Sequence, residues 1–198
     1  MSHALIADLG GTNARFALVP IHEYEPLEVR VLPCKNYNDF FAAAADYIGS
    51  CSVDMADIDA VVLAIAGPVN QPVIRFSNNP WHFTREEVQS YFGDNKPVAL
   101  LNDFDAVGHC LEVLSPKDLV VVGDHSTVDP KGPCWVVGAG TGLGVSCVVP
   151  QDHGPNIILP GEGGHVDLSS CSDLEDDILK FLRKRHKRVS AERVLSGM

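Results

Sequence analysis

The stretch Ala4–Val19, ALIADLGGTNARFALV, decides how the chain is read. Two runs rich in Leu, Ile and Val flank Gly10-Gly11-Thr12-Asn13, and Asp8 stands just ahead of the glycines. Ala4–Leu9 and Ala14–Val19 are predicted as paired strands. Gly and Asn between apolar runs are ordinary hairpin chemistry. A glycine-rich turn also lets backbone N–H groups approach an anion without obstruction from a Cβ. On this segment alone, a plain hairpin turn and a phosphate cradle both stand.

A second segment repeats the arrangement. Cys134–Val149, CWVVGAGTGLGVSCVV, again reads strand, glycines, strand. Gly140-Thr141 matches Gly11-Thr12, a weak internal repeat, and Val137 stands where Asp8 stands in the first copy. Gly138, Gly140, Gly142 and Gly144 fall within seven residues, more than a turn needs, which points to phosphate contact. Two such turns could clasp a polyphosphate, with Asp8 placed to hold a hydrated Mg²⁺. Competing nucleotide motifs fail. The chain has no G-x-x-x-x-G-K-[ST], and GAGTGLG runs on into a strand where a dinucleotide fingerprint needs a helix.

Between and around the repeats the pattern is α/β. Glu28–Leu32 is predicted as a third strand. Asn38–Ile48 reads as a helix with Phe40, Phe41, Ala44, Tyr47 and Ile48 at helical spacing, capped by Asn38 or Asp39. Asp59–Ala66, DAVVLAIA, suits a central strand buried on both faces. Pro72–Phe76 reads as a short strand and SNNPW (77–81) as a loop. Thr84 starts a helix with Glu86 and Glu87 in its first turn, where the helix dipole favours acids. Pro97–Leu101 is a further strand. Pro116 and the polar stretch DHSTVDPKGP (124–133) separate the two halves.

Two polar segments carry candidate chemistry. In LLNDFDAV (100–107) a strand ends in Asn102-Asp103, at the sheet edge where ligands of open α/β sheets sit. Asp103 can take a proton from a hydroxyl and Asn102 can bond a neighbouring one; equally, either side chain can cap the next helix. Asp105 competes for the role of base but lies further into that helix. In LPGEGGHVDLS (159–169), Glu162 and His165 sit in a loop made flexible by Gly161, Gly163 and Gly164, and both can address one polyol. One His, one Glu and one Asp are too few for a metal site, and a lone loop His is commonly solvated or structural.

Bulk properties narrow the function classes. The 198 residues suffice for one large or two small domains. A formal net charge of −11 argues against nucleic acid as a partner. Six scattered cysteines without a Cys-x-x-Cys pair argue against structural zinc and fit reduced thiols in a cytoplasm. No secretory start and no apolar run of about 20 residues is found, so no membrane is expected as a partner. The basic run Arg183–Arg188 follows DLEDDILKFL, where Leu174, Ile178, Phe181 and Leu182 give a helix its apolar stripe. It reads as a solvated helix C-terminus, with Ser190 capping the next helix.

Taken in order, ADLGGTNARFALV, LLNDFDAV, GAGTGLGVS, LPGEGGHVDLS and VSAERVLSG resemble the bacterial glucokinase family, of the sugar kinase, hexokinase, actin and heat-shock ATPase fold group. The resemblance runs from about Ala4 to Gly197. It implies an α/β, actin-like ATPase (ribonuclease H-like) fold of two lobes with a cleft between them. Residues 1–112 would form the small domain and 113–198 the N-terminal part of a large one. It further implies ATP-dependent, Mg²⁺-dependent phosphorylation of the glucose 6-hydroxyl, a cytoplasmic reaction of glycolysis. Asp103 would be the general base. Asn102, Glu162, His165 and Glu192 would bind the other sugar hydroxyls. Asp8, Gly10, Gly11, Thr12 and Asn13 would form the first phosphate loop, with Asp8 holding Mg²⁺ through water, and Gly138, Gly140, Thr141 and Gly142 the second.

Family members continue beyond SAERVLSG, normally into Pro-Gly, whereas this chain reads Gly197-Met198. The expectation is therefore a C-terminally truncated kinase with an incomplete second lobe and no adenosine-binding loop. Its exposed apolar surface would favour self-association as a homodimer. The alternative is a non-catalytic sugar-binding or regulatory module of the same fold. An actin-like or chaperone ATPase is disfavoured, because LNDFD and GEGGHVD have no task there.

Overall fold

The computed structural model describes residues 2–76, 79–123 and 132–197. The chain divides into two units, one running to Ala106 and the other starting at Val107. Residues 124–131 of the polar stretch, and Ser77-Asn78 of the SNNPW segment, lie outside the described residues.

The first unit is built on the quoted hairpin. Strands β1 (His3–Leu9) and β2 (Asn13–Pro20) pair antiparallel, and β3 (Leu27–Pro33) extends them. On the other side β1 pairs parallel with β4 (Ile58–Ile65). Two short strands, β5 (Ile74–Phe76) and β6 (Asn79–Phe83), form a separate hairpin, and β7 (Val98–Asn102) completes the main sheet in the order β3-β2-β1-β4-β7. The unbroken apolar run of β4 makes it a central strand, parallel to both neighbours. Val61, Leu63 and Ile65 on one face are fully buried, whereas Val62 and Ala64 on the other are only half-buried.

Helix α1 (Phe40–Gly49) packs Phe40, Ala43, Ala44 and Tyr47 into this core. Asp39 settles the choice of cap: its carboxylate accepts the Ala42 N–H at 2.7 Å. Phe40 meets Phe83 at 5.1 Å between ring centroids, and Phe16 meets Tyr47 at the same distance. Helix α2 (Arg85–Phe92) begins with a capping box, Thr84 and Glu87 each bonding the other's backbone N–H.

The described part of SNNPW is not a loop. Asn79–Phe83 is β6, and its alternate residues Asn79, Trp81 and Phe83 are buried. Asn and Pro read locally as turn formers, but burying two large rings against the core outweighs that preference. The Trp81 indole N–H donates to Tyr37 O at 3.1 Å, so the ring is covered without an unpaired donor.

Helix α3 (Asp103–Cys110) follows β7 directly, and the division between the units falls inside it. In the second unit, β8 (Cys134–Ala139), β9 (Leu143–Val149) and β10 (Ile157–Gly161) form an antiparallel sheet in the order β10-β9-β8. Gly108 of α3 sits on this sheet, where a Cβ would stand 2.9 Å from Ile158. Helices α4 (Asp173–Arg183) and α5 (Ala191–Leu195) follow, capped by the Ser172 and Ser190 hydroxyls.

The apolar stripe predicted for α4 is largely uncovered. Leu179 is buried, but Leu174, Ile178 and Phe181 are exposed, with the Arg185 guanidinium 4.8 Å above the Phe181 ring. Helical spacing makes one face apolar; it does not supply the surface that covers it. No helix among the described residues is long and apolar enough to cross a membrane.

Candidate active site

In the first unit the candidate residues gather at one sheet edge. Ladder register aligns Leu9, Ile65 and Asn102, so the parallel strands β1, β4 and β7 end level with one another. The turn Gly10–Thr12 leaves this edge from β1, and Asn102-Asp103 leaves it from β7. The turn is closed by Gly10 N–H donating to Asn13 O at 3.0 Å. Cys34, at the start of a short 3₁₀ turn, supports it twice. Its N–H donates to Thr12 O at 2.9 Å and its thiol to Gly10 O at 3.6 Å. Burial pushes the Cys34 thiol up, which keeps it protonated as a donor.

Asp8 lies opposite Arg15 in the β1–β2 ladder, and Arg15 Nη1 donates to Asp8 Oδ2 at 2.7 Å. Cross-strand pairing of opposite charges explains the contact. Arg15 is a member of the site that sequence reasoning missed, although the i/j register of a two-sided hairpin around the turn would have found it.

Asp103 opens α3. Its Oδ1 and that of Asn102 each accept the Phe104 N–H at 3.0 Å, and Asn102 Nδ2 donates to Gly67 O at 3.3 Å. Capping and site roles therefore coexist in the same pair. Partial burial holds the Asp103 carboxyl above the ordinary carboxylate range. The Phe104 N–H pulls it back, and the negative charge of Asp8 pushes it further up.

A folded-state value above the unfolded one means that the fold binds the proton more tightly. The resulting stability is present below the unfolded value and is lost as pH rises through the folded one. Asp103→Asn, which removes the buried charge, is expected to raise the melting temperature at pH 7, with the gain shrinking towards about pH 4. Thermal denaturation at both pH values checks this; an equal gain at both contradicts it.

In the second unit, β8 and β9 pair up to Ala139 and Leu143, with Gly138 and Gly144 opposite each other inside the ladder. Gly140-Thr141-Gly142 remains as the turn, and Gly140 N–H donates to Gly142 O at 2.8 Å. Glu162, His165 and Glu192 come together here. His165 Nε2 lies 3.6 Å from Glu162 Oε2, and His165 Nδ1 lies 3.5 Å from Glu192 Oε1.

Chain pairing produces this meeting. Asp167 and Ser190 form an antiparallel bridge, flanked by Ala191 N–H to Val166 O at 2.9 Å and Leu168 N–H to Val189 O at 3.2 Å. Two residues further along each segment stand His165 and Glu192. Arg188 secures the same junction, donating to the Asp167 carboxylate and to His165 O. Arg188 is exposed, as expected of the basic run, but it also carries these contacts, and nothing in RKRHKR distinguishes it from its neighbours.

The glycines of GEGGH do not make a flexible loop. Gly161 ends β10, and Gly163–His165 form a 3₁₀ turn seated on β9. A Cβ at Gly164 would stand 2.1 Å from Leu143 O, and one at Gly163 2.9 Å from Val145. Gly164 serves close approach of backbone to backbone and Gly163 close approach of backbone to the Val145 side chain, and together they fix the loop against the strand leaving the turn. Among the described residues no group of three or more His, Cys, Asp or Glu could hold a metal ion.

The glucokinase family model matches residues 5–198. The chain belongs to the glucokinase family. The match to the glucokinase family runs from β1 to the end of the chain and includes both glycine turns. The glucokinase of Marinobacter nauticus is 41% identical over 196 residues, 98% of this chain and 59% of that protein. The chain therefore spans about three-fifths of the length of the curated glucokinases it matches. The crystal structure of a glucokinase from an Antarctic psychrotroph superposes with a TM-score of 0.83 at 31% identity, covering 100% of this chain and 61% of that one. Glucokinase from Balamuthia mandrillaris, solved in complex with glucose, has the same fold: TM-score 0.68 at 20% identity, over 99% of this chain and 60% of that one. The α/β, actin-like fold expected from the glucokinase resemblance is the fold observed.

Proposed function

We propose that the chain carries the sugar-binding and phosphoryl-transfer residues of an ATP-dependent glucokinase. The observation that supports this most is the Glu162–His165–Glu192 cluster, built directly onto the strand that leaves a glycine turn. A carboxylate–imidazole–carboxylate group offers acceptors and a donor for adjacent sugar hydroxyls. The adjoining turn offers an approach for phosphate that no Cβ blocks at Gly140.

In this reading Asp103 accepts the proton of the 6-hydroxyl while that oxygen bonds to the γ-phosphorus of ATP. The bond from phosphorus to the β–γ bridging oxygen breaks, and ADP leaves. Asn102 steadies Asp103 and addresses a second hydroxyl. The turns Gly10–Asn13 and Gly138–Gly142 receive phosphate oxygens. Asp8, one carboxylate at the end of a strand, fits a hydrated Mg²⁺ held through water, which needs no cage of protein ligands. Bound Mg²⁺ supplies charge neutralisation on the phosphates. Catalysis then rests on positioning and electrostatics, as phosphoryl transfer requires. We assign the first phosphate hairpin and Asp103 to a small domain of residues 1–112, and the second phosphate hairpin and the sugar-binding loop to the N-terminal part of a large domain, 113–198, and place the activity in the cytoplasm.

The second reading is a sugar-binding module without turnover, supported by the Glu162–His165–Glu192 cluster, which by itself offers hydroxyl contacts and no phosphoryl transfer. Calorimetric titration with glucose, followed by measurement of ADP formation with ATP, Mg²⁺ and glucose, separates the two. Binding with turnover supports the kinase. Binding alone supports the module, and no binding removes both.

A further inference from the structure

Helix α5 and the residues that follow it bracket the second glycine turn from both ends. Gly197 N–H donates to Gly140 O at 2.7 Å, and Leu143 N–H, at the exit of the turn, donates to Glu192 Oε2 at 3.1 Å. A Cβ at Gly142 would stand 2.8 Å from that same oxygen, so glycine there admits the carboxylate against the turn. The other oxygen of Glu192 faces His165. One side chain therefore touches the turn and the sugar cluster at once. It is also the least exposed of the three, at 30% against 56% for His165 and 88% for Glu162.

A backbone N–H bonded to a carboxylate is a charge-assisted contact, stronger than one between neutral groups. A Gly-Thr-Gly turn has the most backbone freedom to lose, so its geometry has to be imposed from outside. We propose that Glu192 is the positioning residue of the 140–142 turn, and that through it a sugar on Glu162, His165 and Glu192 and a phosphate on the turn bind cooperatively. The cooperativity rests on the kinase reading above; the positioning does not. A hydroxyl donating to Oε1 fixes the Glu192 side chain and with it Oε2 on Leu143 N–H. The turn is then ordered before nucleotide arrives, and by linkage nucleotide strengthens sugar binding by the same factor.

Amide NMR on the full chain tests this, with glucose and Mg-AMPPNP as probes. In the free protein, Glu192→Ala is expected to shift the Gly142 and Leu143 amides, and Glu192→Gln, which keeps an acceptor oxygen, to shift them less. With wild type, saturating glucose is expected to move both amides and to tighten AMPPNP about fivefold or more. In Glu192→Ala, with glucose saturation verified at the Gly163–His165 amides, the tightening is expected to fall below twofold. Unmoved Gly142 and Leu143 amides in free Glu192→Ala, or an unchanged tightening factor, overturns the proposal. Loss of any glucose response in wild type defeats the kinase reading and the cooperativity with it. Positioning then stands or falls on the free-protein shifts.

Discussion

Replacing Asp103 by Asn is expected to lower kcat for glucose phosphorylation by about a thousandfold or more while leaving glucose affinity within about tenfold. The two side chains have nearly the same shape, so the amide oxygen of the variant can still accept the Phe104 N–H that Asp103 accepts at 3.0 Å. The start of α3 is preserved, and what disappears is the capacity to take a proton from the attacking hydroxyl. Asp103 follows the level ends of β1, β4 and β7, is close enough to Asp8 to feel its charge, and shares this sheet edge with the glycine turn proposed to receive phosphate. The combined outcome is the signature: a collapse of turnover with binding retained. ADP formation at saturating substrates and calorimetric titration of glucose measure the two parts. Turnover within tenfold of wild type would remove Asp103 as the base.

The largest structural effect is expected from Gly164→Ala. The new methyl would lie 2.1 Å from Leu143 O, 2.9 Å from Leu143 Cβ and 3.0 Å from its carbonyl carbon. None of these is the movable end of a long side chain; two are backbone atoms of a paired strand. The loop must lift off β9, at a cost of about 3 kcal/mol or more. His165 is the next residue, so the lift also separates it from Glu192, and glucose affinity is expected to fall more than a hundredfold. Gly161→Ala is the control. Its Cβ would meet Val145 O at 3.3 Å, a contact relieved by a shift of a few tenths of an ångström. Chemical denaturation and glucose titration of both variants check the contrast. A Gly164→Ala protein within about 0.5 kcal/mol of wild type, the range of neutral surface changes, would show that the loop does not rest on β9 as described.

Much of the fold was legible because its signals are local. The glycine turns announce two hairpins, DAVVLAIA announces a central strand, and Asp39, Thr84 and Ser190 stand where helix starts need acceptors. The residue types of the site were legible too, since Asp103 at a strand end and Glu162 with His165 beside glycines carry recognisable chemistry. Where local signals were weak or misleading, the reading failed. NPWHF looks like a turn until Trp81 and Phe83 are seen buried beside Phe76. Arg188 looks like any cation of its run until the pairing of 166–168 with 189–191 brings Asp167 beside it.

Sequence was sufficient for most of the strands and helices, for which stripes are apolar and for which side chains could do chemistry, because each of these depends largely on spacing and on residue type. Three things waited for the tertiary structure. The meeting of Glu192 with His165 depends on an antiparallel register between segments more than twenty residues apart. The purpose of Gly163 and Gly164 depends on how near β9 comes, since a glycine chosen for freedom and one chosen for closeness are the same letter in the chain. The second hold of Glu192, on Leu143 N–H, is a contact to a backbone group, which every residue but proline possesses and which composition therefore cannot mark.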